Sequence, residues 1–145
     1  HHRKLALTLS DPFCVVRHRE DFQRLVDNHV DILFANEEEL KELTQQPTAD
    51  QAIESIRGKC DIVAVTLGKS GSAIVTKTET IRVPSIAPQQ LVDTTGAGDS
   101  YAAGFLFGLT SGKNLAECGR LGSLAASEVI SHMGPRPLVS LKSLL

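Results

Sequence analysis

Asp93-Thr94-Thr95-Gly96-Ala97-Gly98-Asp99 runs directly into a small-residue apolar segment, residues 100–109, that reads as a buried helix. Gly96 and Gly98 can take backbone angles denied to other residues and put no side chain between the main chain and a ligand. The amides of Gly96, Ala97 and Gly98 are therefore expected to converge on phosphate oxygens, backed by the unpaired N–H groups and positive dipole end of the helix. The same dipole suits a carboxylate at Asp99, on the first turn, where it can accept a proton from an attacking hydroxyl. An anion hole beside a base is an arrangement for phosphoryl transfer. The competing reading is a structural cap, with Asp93 or Asp99 bonding backbone amides. Two aspartates flanking the threonines and glycines at this spacing favour the phosphate site.

Downstream of this stretch, Ala102, Ala103, Gly104 and Gly108 are small enough for close helix packing, and Phe105 and Phe107 supply bulk. Thr110-Ser111-Gly112 reads as the C-terminal cap. Asn114 is placed to cap a second helix over 115–131, whose Gly119, Gly122, Ser123, Ala125 and Ala126 again permit close approach. Gly134-Pro135-Arg136-Pro137 ends the packed chain, and 138–145 is a short apolar tail.

Upstream, 84–91 is a loop leading to Val92, after which Asp93 and Thr94 are expected to close a last strand. Residues 72–76 and 80–84 read as a β-hairpin with 77–79 in its turn. Residues 61–66 form the strongest strand pattern, β-branched and apolar on both faces. Gly68-Lys69-Ser70 after it imitates the end of a P-loop, but that motif needs glycine where Val63 stands and a helix to follow, and neither is present. Buried strands are also expected at 4–9, closed by the turn Ser10-Asp11-Pro12, and at 32–35. Amphipathic helices are expected at 19–28, after Asn36 with Leu40 and Leu43 inward, and at 49–57 with Ala52, Ile53 and Ile56 on one side and Gly58 ending it.

With 145 residues, 41% of them hydrophobic and 22% charged, the chain can bury one core and is not disordered. A net charge of −2 provides no basic field, so nucleic acid is not expected as a partner and small molecules are. Cys14, Cys60 and Cys118 are odd in number and show no C-x-x-C, which suggests neither disulfides nor zinc and fits a reducing cytoplasm. The longest apolar run, 101–109, is too short to span a bilayer, so no membrane is expected as a partner. His1 and His2 receive no role.

The run DTTGAGD followed by a small-residue helix resembles the second signature of the ribokinase-like carbohydrate kinases, the PfkB family. The likeness covers most of this chain but only the family's C-terminal half. It implies an α/β fold, a three-layer α/β/α sandwich around a mainly parallel sheet. It further implies that 1–145 is the nucleotide-binding part of a kinase domain whose N-terminal strands, lid and acceptor contacts lie elsewhere. In the family the GAGD turn, here Gly96, Ala97, Gly98 and Asp99, is the anion hole, and its aspartate, here Asp99, is the catalytic base. Asn36-Glu37-Glu38-Glu39 is similar to the family's N-x-x-E motif. That likeness assigns Asn36 and Glu39 to water molecules around a magnesium ion on the nucleotide phosphates, and leaves Glu37 and Glu38 as solvated charges. Ordinary N-capping by Asn36 is the alternative.

The resemblance also makes Thr66, Gly68 and Gly71 contacts of ATP, with a turn role for Gly71 nearly as well supported. It sets Asp93, Thr95 and Gly134 near a potassium-type monovalent-cation site. It puts Ser123 where relatives carry an amide or imidazole that touches the adenine, so serine is a departure. Residues 5–13 resemble both adenosine-kinase-like and general sugar-kinase members. The expectation is thus an ATP- and magnesium-dependent transferase acting on a primary hydroxyl of a sugar or nucleoside; an inactive nucleotide-binding fragment is the alternative. An uncovered sheet edge and apolar surface would favour a homo-oligomer.

Overall fold

Three short strands with consecutive apolar side chains form the parallel core of a sheet: β1 (Ala6–Thr8), β2 (Ile32–Asn36) and β3 (Ile62–Thr66). Runs apolar on both faces are stable as strands only when both faces are covered, and the first four residues of β2 and of β3 are all buried. Two further strands, β4 (Ser72–Val75) and β5 (Thr80–Val83), complete the sheet in the order β1-β2-β3-β4-β5. The links from β3 to β4 and from β4 to β5 are too short for parallel crossovers, so this side of the sheet is antiparallel. The strand expected over 4–9 is shorter than its apolar run and lies at the sheet edge.

The computed structural model describes residues 3–144; His1, His2 and Leu145, the last residue of the expected apolar tail, fall outside them. Two units divide the chain. One runs to Leu67 and resumes over Ala73–Ile81; the other comprises Gly68–Ser72 and the chain from Arg82 onward. Among the described residues, no helix is long and apolar enough to cross a membrane.

In the first unit four helices flank the strands: α1 (Pro12–Arg17), α2 (Arg19–Asn28), α3 (Glu37–Thr44) and α4 (Ala49–Ile56). Their inward residues Val15, Val26, Leu40, Leu43, Ile53 and Ile56 join Leu33, Val63 and Val65 in one core. The sequence reading stopped at a turn over residues 10–12 and missed α1. Asp11 caps it, accepting from the Cys14 N–H, and Pro12 takes the first helical position, where a missing N–H costs nothing. Arg57, just past α4, ties the hairpin turn down. Its guanidinium donates to the carbonyls of Thr76 and Glu79 and to Thr80 Oγ1, while holding the Glu54 carboxylate.

The second unit is built on α5 (Ala97–Thr110) and α6 (Leu115–Val129). Asn114 and Glu117 form a reciprocal capping box at the start of α6. The two helices touch through backbone: a Cβ on Gly104 would lie 2.5 Å from the Leu121 carbonyl oxygen. Of the two phenylalanines expected to supply bulk, Phe105 is fully buried and Phe107 is 44% exposed. The strand expected at 92–94 does not form. The segment instead hangs from the end of α6, with the Val92 N–H donating to the Ile130 carbonyl at 2.9 Å, so the DTTGAGD turn enters α5 from a loop.

Exposed apolar side chains include Leu5, Phe13 and Val16 in the first unit and Leu91, Met133 and Leu138 in the second. The three cysteines are free thiols; Cys60 and Cys118 are buried, Cys14 partly so.

Candidate functional site

Gly96 is the N-cap of α5 and has left-handed backbone angles, φ 79° and ψ 3°, which a side chain resists. A Cβ there would also strike Pro135 at 2.6 Å. Gly96 therefore bends the chain into the helix but supplies no capping side chain. The Ala97 N–H donates to the Thr94 carbonyl at 3.2 Å, so of the three amides expected to face a phosphate, this one is bonded within the turn. The N–H groups of Gly98 and Asp99, second and third in the helix, have no acceptor among the described residues. Gly98 does not use the special angles expected of it: its φ is not positive, and a Cβ at this position would meet nothing within 4 Å. What its lack of a side chain provides is open space over free N–H donors. Asp99 is exposed in that space, and its side chain makes no hydrogen bond or ion pair with another described residue.

Asp93 braces the turn. Its Oδ1 accepts the Thr95 N–H at 2.9 Å and its Oδ2 accepts the Gly134 N–H at 3.2 Å. The Thr95 bond is the largest of the contacts that hold this carboxyl below its usual range, followed by the Thr95 side chain and Gly134. Asp93, Thr95 and Gly134 are thus brought together as the sequence reading expected.

In the same unit, Gly68 begins a tight turn with open space at its Cα. Gly71 closes that turn, its N–H donating to the Gly68 carbonyl at 3.1 Å. Its φ is +88°, and a Cβ would fall 2.0 Å from the Val83 carbonyl oxygen, so backbone crowding alone requires glycine there. Ser85 Oγ donates to the Lys69 carbonyl at 2.8 Å. Ser123 is buried on α6, and its side chain makes no hydrogen bond to another described residue.

The first unit holds the remaining candidates. Asn36 and Thr66 are register partners at the C-terminal ends of the parallel strands β2 and β3, where an α/β sheet presents its ligands. Asn36 Oδ1 accepts the Glu39 N–H, while the Glu39 carboxylate accepts the Asn36 backbone N–H at 2.9 Å and its Nδ2 at 2.8 Å. The capping alternative is therefore realised. The carboxylate that serves it is buried, just past the C-terminal end of β2. Glu37 and Glu38 lean on Lys41 at the surface. Among the described residues no three His, Cys, Asp or Glu side chains cluster to hold a metal directly.

The sequence reading passed over Tyr101, which donates to Ser72 Oγ at 2.8 Å in a buried bond. A tyrosine inside an otherwise apolar helix was the available signal, since a buried phenol needs a partner.

One unit has parallel strands with polar C-terminal ends, and the other a glycine-entered helix whose first N–H groups open beside a carboxylate; both are features of an α/β protein with candidate anion-binding groups. Residues 1–141 match the model of the pfkB family carbohydrate kinases, and the chain belongs to that family. It is similar to a probable sugar kinase from Rhizobium etli, with TM-score 0.96 and 45% identity over 99% of this chain and 44% of the other. An adenosine kinase from Sinorhizobium meliloti gives TM-score 0.95 and 51% identity over 98% of this chain and 44% of the other. Arabidopsis thaliana ribokinase, solved with ribose and ATP, gives 0.74 and 37% over 83% and 41%. The expected ribokinase-like α/β fold is the fold observed, and the chain spans less than half the length of each of these relatives.

Proposed function

We propose that this chain is the nucleotide-handling part of a kinase that moves the γ-phosphoryl group of ATP to a primary hydroxyl of a sugar or nucleoside. The observation that carries the proposal is the start of α5, where two N–H groups without acceptors among the described residues open beside the exposed Asp99 carboxylate. The Asp99 carboxylate accepts the acceptor hydroxyl's proton as its oxygen bonds to the γ-phosphorus, and the bond from that phosphorus to the β–γ bridging oxygen breaks, leaving ADP. The Gly98 and Asp99 N–H groups hold charge on the transferring phosphate, and the amides of Gly96 and Ala97 complete the hole if the Ala97–Thr94 bond yields to the ligand.

Thr66, Gly68 and Gly71 bound the nucleotide side, with Gly71 acting through the shape it gives the turn. Ser123 stands near the base. Asn36 and Glu39 would hold magnesium through water, consistent with one buried carboxylate and no ligand cluster among the described residues. When bound, that ion neutralises charge on the nucleotide phosphates. Asp93, Thr95 and Gly134 supply the hard oxygens and backbone that suit a potassium ion bracing the anion hole. The relatives named as sugar kinase, adenosine kinase and ribokinase favour this reading over an inactive nucleotide-binding module.

The test is ADP release by the intact gene product with adenosine, ribose and fructose as acceptors. Turnover with at least one supports the reading. No ATP consumption with any sugar or nucleoside, together with no nucleotide binding by calorimetry, removes it.

A further inference from the structure

Among the described residues, one buried side-chain hydrogen bond joins the segment just after the Gly68 turn to the helix that carries Asp99. Ser72 directly follows Gly71, and Tyr101 lies two residues after Asp99. The phenol of Tyr101 donates to Ser72 Oγ at 2.8 Å, with Tyr101 3% and Ser72 1% exposed. Both partners are fixed from behind. The Tyr101 ring and carbonyl lie so close to α6 that a Cβ on Gly122 would come within 2.8 Å of the carbonyl and 3.0 Å of the ring. The Tyr101 and Phe105 rings stack with centroids 6.3 Å apart. On the other side, Gly71 is pressed against the Val83 carbonyl, and Ser85 holds Lys69. Between these two rigid parts, a buried hydrogen bond is the most directional contact available.

We infer that Tyr101 and Ser72 are positioning residues for the nucleotide, their bond setting the distance between the Gly68 turn and the Asp99 end of α5. This inference rests on the kinase reading of the same unit. Burial pushes the Tyr101 hydroxyl up to about 12, so it remains a donor at any working pH. Core packing alone would be served by phenylalanine. The hydroxyl adds registry: it lets the phenol meet the turn at one point only, and a turn displaced by an ångström would carry its nucleotide contacts with it.

Tyr101→Phe and Ser72→Ala, singly and together in the intact gene product, test the idea. Each single change is expected to raise KM for ATP about fivefold, with a smaller effect on kcat and none on KM for the acceptor, because a lost positioning bond acts on nucleotide binding. The double variant should be no worse than the poorer single one, since both remove the same bond. A lowered melting temperature with KM for ATP unmoved would make the pair merely structural and overturn the inference, as would additive effects in the double variant. Wild-type turnover separates the two proposals. If the wild type transfers phosphoryl groups and the variants keep its KM, only the positioning role falls; if the wild type transfers none, the kinase reading falls and takes this inference with it.

Discussion

Helices α3 and α5 begin in opposite ways. At α3, Asn36 and Glu39 bond each other's backbone N–H groups, so the helix start is satisfied by its own side chains. At α5, Gly96 brings no side chain and the N–H groups of Gly98 and Asp99 have no acceptor among the described residues. With glycine at the cap, going without a capping side chain costs the helix roughly a few tenths of a kcal/mol, and the open N–H groups can be completed by an anion. The contrast separates two kinds of helix start: one closed on itself, in which any ligand role must be shared with a structural one, and one left open for a ligand. Glu39 tests the first kind, and Asp99 with its glycines the second.

The largest effect should come from Asp99→Asn, which keeps the shape and removes the proposed base. Turnover is expected to fall on the order of a hundredfold or more, with ATP affinity retained by calorimetry. Undiminished turnover would reduce the open start of α5 to an uncapped helix, and the contrast with α3 would lose its meaning.

Next come the two glycines. Gly96→Ala forces a side chain into left-handed angles and against Pro135, and should cost roughly 1–3 kcal/mol in denaturant unfolding. Gly98→Ala has open space and helical angles, so it should stabilise the fold by up to about 1 kcal/mol while weakening ATP binding by crowding the N–H donors. Weakened binding from a more stable variant would separate ligand role from structural role at adjacent turns of one motif. If Gly98→Ala leaves affinity intact, the free donors are not the phosphate site.

At α3 the discriminating change is Glu39→Gln. Glutamine preserves the side-chain oxygen of a capping box but not the charge. The magnesium concentration giving half-maximal activity should rise about severalfold, while Glu37→Gln, whose partner Lys41 lies at the surface, should leave it in place. Equal responses would assign Glu39 to capping alone.

The smallest effect is a pH dependence. The folded Asp93 carboxyl sits below its unfolded value, so the unfolded chain binds more protons in the interval between them. Its contribution is full above the unfolded value and is lost as pH falls through the folded one. Acid titration of stability should therefore be shallower in Asp93→Asn below pH ~4, at the ordinary carboxylate range. Parallel titration curves for the two proteins would show that the Thr95 and Gly134 bonds do not hold the carboxylate in solution.

Much of this was legible because apolar runs and glycines are local signals. Residues 62–65 could only be a buried strand, and Ala52, Ile53 and Ile56 mark one face of α4 in both sequence and structure. DTTGAGD disclosed the open helix start in outline. Its details depended on distant residues: the Ala97 amide turned inward to Thr94, and Val92 was drawn to the end of α6 instead of to a strand. Helix α1 was hidden because Asp-Pro marks both a turn and a helix entry, and the outcome was decided by burying Val15. The Tyr101–Ser72 bond joins residues 29 positions apart, a separation at which no local pattern operates.

The unequal burial of the three thiols makes the protein its own reporter. Burial pushes the Cys60 thiol up to about 11 and raises that of Cys118, so neither offers much thiolate to an alkylating reagent in the folded chain. Cys14, partly accessible on α1, is left as the first site for a maleimide dye. A stoichiometry of one label per chain would certify intact protein without any engineered cysteine. A rise toward three would time the opening of the β2–β3 core around Cys60 and of the α5–α6 contact around Cys118.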